Sequence, residues 1–387
     1  MSIHSEPGGT EPLRVVIVGA GVAGLEATLA LHALAGDRVA TTLVAPGTHF
    51  VYEPYSTLAP FGDVDVPRHP LAQFAHELGA EFVQDSIDWL LPHDRRLFLR
   101  SGRELGYDAL VLAVGARRYP PSWPGVIAFR GWKDAAAIRR LLDEVHGGQV
   151  ERLAFAVPPE VEWTLPIYEL ALQVAADVHA SGASTALALI THERAPMEVF
   201  GPGASDELVG LLDDAGVVLE AGTRVEESPP AYDRVVALPL IEGPGIHGVP
   251  CDAHGFVEID PYGLVREIAH VYAAGDCVRG PYKQGGVAAQ QADVVAEAIA
   301  HAAGMPVAPR ALDPVLRGLL LTGDKRRFFR HDLHDPESAS EVRRQPLWWP
   351  AVKLAGSHLA PYLKAHGVTP ERDAVPVEVT LAERAPA

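Results

Sequence analysis

The residues best suited to do chemistry begin with a glycine run, Gly19-Ala20-Gly21-Val22-Ala23-Gly24, of the form G-x-G-x-x-G. The first glycine permits a tight turn, the second lets the backbone approach a pyrophosphate, and the third lets a helix pack close to a strand. The N-terminus of that helix then faces the anion with free N–H groups. The flanks fit this chemistry. Residues 13–18 read as a buried strand, 22–34 as an amphipathic helix ended by Gly36, and 39–44 as a second strand, together a βαβ unit. One part of the fingerprint is missing. An acidic residue usually closes the second strand and grips the adenosine ribose, but here that place holds Ala45-Pro46-Gly47, leaving the ribose to backbone, Thr48 or water.

Two more runs read as buried strands that end in sharp turns: Tyr107-Asp108-Ala109-Leu110-Val111-Leu112-Ala113-Val114-Gly115-Ala116 and Val271-Tyr272-Ala273-Ala274-Gly275-Asp276. In this order and spacing, the three motifs resemble the FAD-binding sequences of the pyridine nucleotide-disulfide oxidoreductase-like flavoproteins. The resemblance covers about residues 13–330. It implies an α/β fold of two intertwined three-layer Rossmann-like domains, glutathione-reductase-like, with a small C-terminal segment. FAD is the implied cofactor. It would touch Gly19, Gly21, Ala23 and Gly24, then Ala113 and Gly115, then Gly275 and Asp276, and finally Gly286 and Val287 at a helix start. The aspartate of the third motif bonds the ribityl chain in that family, which carries over to Asp276. The FAD domain would be discontinuous, residues 10–118 with 255–310. A degenerate NAD-type domain would occupy 119–254, and a hairpin and helix 311–387.

The turn after the strand at 152–157 sets the branch. A member that uses pyridine nucleotides has a second G-x-G-x-x-G there. This chain reads Pro158-Pro159-Glu160-Val161-Glu162-Trp163-Thr164-Leu165-Pro166, without glycine. Prolines remove N–H donors, and two carboxylates repel phosphates. Such a loop, leading into Tyr168-Glu169, resembles the sulfide:quinone oxidoreductase-like group, in which electrons enter without NAD(P)H. The stretch from Glu193 to Gly201 resembles it too. Glu193 stands where a ribose-binding acid would be, or else at a solvated strand end. That group oxidises sulfide with paired redox cysteines, whereas this chain has two isolated ones, Cys251 in a loop and Cys277 beside Asp276. Both read as inert thiols, which disfavours sulfide oxidation by a persulfide route.

The resemblance also supplies two catalytic candidates. Lys283, in the loop before the helix expected over 287–303, would stabilise negative charge on reduced flavin together with the helix N-terminus; otherwise it is an exposed loop lysine. Glu169 aligns with a helix glutamate near the flavin's reacting edge, where a buried carboxylate could shuttle protons, and its alternative is an exposed helix acid. Phe50-Val51-Tyr52-Glu53-Pro54-Tyr55 resembles the family's loop across the flavin face. No metal site is expected, since His331-Asp332-Leu333-His334-Asp335 would split its side chains between two faces of a hairpin. Lys325-Arg326-Arg327 with Arg330 reads as a solvated turn. Trp348-Trp349 and the helix-like 351–366 read as a buried domain or dimer contact, with a membrane-dipping surface as the alternative.

Composition sets the remaining bounds. Apolar residues make 48% and charged residues 21%, which excludes a disordered chain. A net charge of −18 disfavours nucleic-acid binding. Two cysteines exclude a disulfide scaffold and fit a reducing cytoplasm. No apolar run reaches the roughly 18 residues of a membrane span, so the expectation is a cytoplasmic protein, with attachment to a membrane surface and a dimer both allowed. The function expected is an FAD-dependent oxidoreductase that passes two electrons through flavin between small-molecule partners, a quinone or similar carrier among them. Its rivals are an NAD(P)H-dependent flavin reductase of the same fold and an FAD-binding sensor with little catalysis.

Overall fold

The computed structural model describes residues 11–62, 65–123, 125–225, 232–322, 325–334 and 340–369. Two five-stranded sheets carry the architecture. The first runs in the order Val271–Ala273, Ala109–Leu112, Leu13–Val18, Val39–Ala45, Glu81–Gln84, and every neighbouring pair is parallel. Parallel strands are covered on both faces and so read as unbroken apolar runs rather than alternating ones. Ala109–Leu112 is buried at all four positions. The helices Val22–Ala35 and Gly285–Ala302 pack on each other beside this sheet. The third-motif strand lies next to the second-motif strand, so the first sheet is assembled from distant stretches of chain.

The second sheet runs Val126–Ala128, Arg234–Ala237, Arg152–Ala156, Ala186–Ile190, Val217–Glu220, again all parallel. The helices Ala135–His146, Leu165–Ser181 and Pro202–Asp214 pack around it. An antiparallel pair, Arg117–Tyr119 with Leu240–Glu242, ties the segments that leave and re-enter the two sheets. The fold is therefore α/β with two dinucleotide-type parallel sheets. An antiparallel hairpin, Val315–Thr322 with Lys325–Asp332, wedges between them. Its Leu316 and Leu320 join the core of the second unit, and its Leu319 and Leu321 join that of the first. No helix among the described residues is long and apolar enough to cross a membrane.

Several local expectations are corrected. The apolar stretch 256–259, which reads as a strand from its sequence, forms only isolated bridges, Val257 to Cys251 and Val278. The helix expected over 287–303 starts at Gly285, because the Gln284 side chain accepts the Val287 N–H at 2.9 Å and caps it. The helix-like 351–366 is helical only over Leu359–Ala365. Pro350 and Gly356 break the pattern, and buried Glu26 accepts the N–H groups of His358 and Leu359 at 2.7 and 2.8 Å. The basic cluster lies in the strand Lys325–Asp332 rather than a turn, where Arg327 is buried and paired with Glu207, and Arg330 meets Glu341 at 3.4 Å. Trp348 packs edge-on against Phe328, while Trp349 is 66% exposed under Lys364. Of the histidine cluster, His331 bonds Ser340 and His334 faces Asp313, and Asp335 lies outside the described residues.

Candidate functional site

A cavity of about 500 Å³ opens between the two sheets and the hairpin. The glycine-rich loop forms one wall, and its glycines divide the work. A Cβ on Gly19, where φ is +109°, would collide with the Ala113 carbonyl, and one on Gly24 would collide with the Gly19 carbonyl. These two glycines close the fold. A Cβ on Gly21 would meet nothing within 4 Å, and Gly21 lines the cavity. Gly115, at φ +71°, has the same open surroundings. An open cradle of this kind, at the start of a helix, suits a pyrophosphate.

Of the residues expected to touch the cofactor, Gly21, Ala23, Ala113, Gly115, Gly275, Asp276 and Gly286 line this cavity. Gly19, Gly24 and Val287 do not line it. Gly275 is held by the Gln291 side chain, which accepts its N–H at 2.7 Å. Burial pushes the Asp276 carboxyl up, and Arg118 and Lys283 pull it back down. Thr48 bonds the neighbouring ring of His49, which also lines the cavity. The described residues thus fit a dinucleotide laid from the loop towards the hairpin.

The two catalytic candidates sit differently. Lys283 lines the cavity, but its ammonium donates to the Val278 carbonyl and stands 3.9 Å from the Phe256 ring centroid. Burial pushes its pKa down, while Asp276 pulls it up. Glu169 is no exposed helix acid: it is wholly buried. It accepts the Leu321 N–H at 2.9 Å and the Thr57 hydroxyl, and it pairs with Lys353 at 2.5 Å. Lys353 and Thr57 line the cavity in front of it, and Lys353 also donates to the Pro54 carbonyl at 3.0 Å. Sequence reasoning missed Lys353. The signal was a lone lysine in the apolar run Ala351-Val352-Lys353-Leu354, which requires a buried acid as partner. From the loop at 50–55, Phe50, Val51, Glu53 and Pro54 line the cavity, whereas Tyr52 is buried with its hydroxyl accepting the Leu354 N–H at 3.1 Å.

The second dinucleotide turn is built in another way. Pro158 is buried, its carbonyl accepts the Val161 N–H at 3.0 Å, and Glu160 and Glu162 face solvent. Glu193 is neither a ribose ligand in waiting nor a solvated strand end. It is buried and accepts hydroxyls from Tyr168 at 2.7 Å, Thr191 at 3.0 Å and Thr164 at 3.1 Å. Its pKa is raised by burial against those bonds. Both cysteines are free. Burial lifts Cys277 to about 12 and raises Cys251 as well, so neither is a ready thiolate.

Fold and site together are those of an FAD-binding α/β flavoprotein, and over its N-terminal part the chain is similar to the pyridine nucleotide-disulphide oxidoreductases. The family model described as pyridine nucleotide-disulphide oxidoreductase matches residues 13–156. A curated relative, the sulfide-quinone reductase of Aquifex aeolicus (strain VF5), is 29% identical over 109 residues. That stretch is 27% of this chain and spans only 24% of the relative's length. The crystal structure of the sulfide:quinone oxidoreductase from Aquifex aeolicus superposes with a TM-score of 0.75 at 19% identity, covering 86% of each chain. NDH2 from Plasmodium falciparum, solved in complex with NADH, superposes at 0.63 with 12% identity, covering 84% of this chain and 90% of that one. At these identities the structural likeness speaks for the fold.

Proposed function

We propose that the protein is an FAD-dependent oxidoreductase that receives two electrons from a small-molecule donor other than NAD(P)H and passes them to a quinone or a similar small carrier. The observation that carries the reading is the contrast between the two turns. One keeps open glycines facing the cavity, and the other is filled by proline with its acid saturated by hydroxyls. Residues 10–118 with 255–310 form the FAD-binding part, 119–254 a unit that keeps the NAD-type fold without its ligand, and 311–387 the C-terminal piece.

FAD, when bound, supplies the two-electron chemistry. Gly21, Gly115 and Gly275 admit its backbone, and Asp276 holds its ribityl chain. The start of the helix Gly285–Ala302 presents partial positive charge to it, and Lys283 adds a nearby cation. Lys353 Nζ is the proton-bearing atom at the cavity wall. Glu169 Oε1 behind it balances the charge, and Thr57 fixes that carboxylate. Quinone reduction consumes protons as well as electrons, and this pair can deliver one without opening the cavity to water. The names of the sulfide-quinone reductase relatives support the quinone. Sulfide itself is disfavoured as donor, because the described cysteines are a buried thiol and an isolated loop thiol.

The test is reoxidation. The purified protein, photoreduced without oxygen and mixed with a short-chain ubiquinone, should regain its flavin absorption rapidly and saturably. A protein that takes up no FAD, or a reduced flavin that no quinone or other small carrier reoxidises, would overturn the reading.

A further inference from the structure

Five lysine and arginine side chains line the cavity, and four have an acceptor. Arg118 donates to the Arg130 carbonyl at 2.8 Å and stands 3.9 Å from Asp276. Arg130 pairs with Asp134 at 2.7 Å. Lys283 donates to Val278, and Lys353 pairs with Glu169. The fifth is Arg317, in the strand Val315–Thr322. Its guanidinium finds no hydrogen-bond acceptor among the described residues. Arg330 stands directly opposite on the neighbouring strand and repels it, and is itself engaged by Glu341. Asp332 attracts it from further along the strand. Burial pushes its pKa down, the mark of a cation short of compensation.

The position of Arg317 is fixed. Strand side chains alternate faces, so Arg317 shares the side of Leu319 and Leu321. Its own carbonyl is anchored by the Gln284 side-chain amide at 2.5 Å, which ties it to the capped start of the helix Gly285–Ala302. The cavity beside it has apolar walls from Phe129, Val161, Trp163 and Leu238. A half-buried guanidinium without a partner is costly, and the planar fork of an arginine matches a carboxylate through two parallel N–H bonds.

We propose that Arg317 anchors the anionic group of the electron donor, and that this donor is a flat, mainly apolar molecule bearing one carboxylate or similarly compact oxyanion. The inference rests on the flavoprotein reading above, and it assigns the charge to the donor because quinones are neutral. Apolar walls take the body of the molecule, and the one lining cation without a hydrogen-bond acceptor among the described residues takes one charge.

Benzoate and its neutral isostere benzamide are the probes. Each is titrated into the FAD-loaded protein and followed by the visible flavin absorption and by intrinsic tryptophan fluorescence, to which Trp163 contributes. Benzoate should bind the wild type at least about 10-fold more tightly than benzamide. Arg317→Gln should weaken benzoate by about 10-fold or more, roughly 1.4 kcal/mol. The same variant should leave benzamide binding and flavin content unchanged, and Arg317→Lys should recover part of the loss. Equal affinities for the two probes, no benzoate binding to the wild type, or unchanged benzoate binding in Arg317→Gln would each overturn the proposal. So would an Arg317→Gln protein that stays folded but loses FAD, since Arg317 would then serve the cofactor. If the wild type takes up no FAD, the flavoprotein reading fails on its own, and the fluorescence titration still decides whether Arg317 selects the anion.

Discussion

The turns after the strands Leu13–Val18 and Arg152–Ala156 occupy the same place in two similar parallel units, yet one is an open cradle and the other is plugged. At the first, Gly21 leaves free space in front of a helix N-terminus. At the second, buried Pro158 and a Pro158–Val161 turn replace the donors a phosphate needs, and Tyr168, Thr164 and Thr191 consume the acid that would grip a ribose. The difference teaches that the strand–helix frame survives on core packing, while ligand binding depends on a few residues in the turn.

The largest effect in that comparison should come from Gly21→Leu. The side chain fits the protein alone but occupies the pyrophosphate cradle, so FAD affinity should fall by roughly 100-fold or more, with thermal stability of the flavin-free protein nearly unchanged. Gly24→Val should do the reverse and lower stability itself, by about 1–3 kcal/mol, because its side chain meets the Gly19 carbonyl. Flavin content and urea unfolding separate the two outcomes.

Next in size is the pair behind the cavity. Lys353→Met leaves the wholly buried Glu169 without its cation and should cost about 3–5 kcal/mol in urea unfolding. Adding Glu169→Gln to that variant should restore most of the loss. If Lys353→Met alone is neutral, the pair is not the buried charge centre described here.

A smaller, pH-dependent effect belongs to Glu26, two residues beyond the cradle's last glycine. Burial and neighbouring Asp293 push its pKa up to about 8, against the bonds it accepts from His358 and Leu359. A carboxyl raised on folding favours the folded state while protonated. Its contribution is complete below the unfolded value of about 4.3 and is lost as pH climbs towards 8. Asp293, raised by burial and by Glu297, shifts in the same direction. Thermal stability should therefore decline from pH 5 to pH 8 by the order of 1–3 kcal/mol, and Glu26→Gln should flatten that slope. A slope unchanged by the substitution would contradict the assignment. The smallest effect should be that of Cys251→Ser with Cys277→Ala: flavin content and turnover with any working donor should stay near wild type.

Much of the first unit was legible because its chemistry is local. The glycine run, the strand before it and the helix after it are contiguous, and Gly275-Asp276 and Gly115 end strands whose apolar runs are plain. The plugged second turn was legible from Pro158, Pro159 and the absence of glycine. What sequence could not deliver depended on distant partners. Glu193 looked like a strand end because Tyr168 and Thr164, which bury it, belong to another element. Lys353 looked like one more residue of a C-terminal helix, since nothing local shows that Glu26 stops that helix from starting before residue 359. Arg327 looked solvated because Glu207 lies far away in sequence. Buried charges are paired by the fold, and the pairing is invisible until the fold is known.

The contrast between the two turns is tested most directly by mixing the FAD-loaded protein with micromolar NADH or NADPH in an anaerobic stopped-flow experiment and watching the flavin absorption. Hydride transfer needs the nicotinamide held within about 3–3.5 Å of its acceptor, and the plugged turn offers nothing to hold the pyrophosphate that sets this distance. The account predicts one FAD per chain and no saturable bleaching by either nucleotide, while short-chain ubiquinone reoxidises the photoreduced protein. Rapid, saturable bleaching at micromolar NADH or NADPH would contradict it.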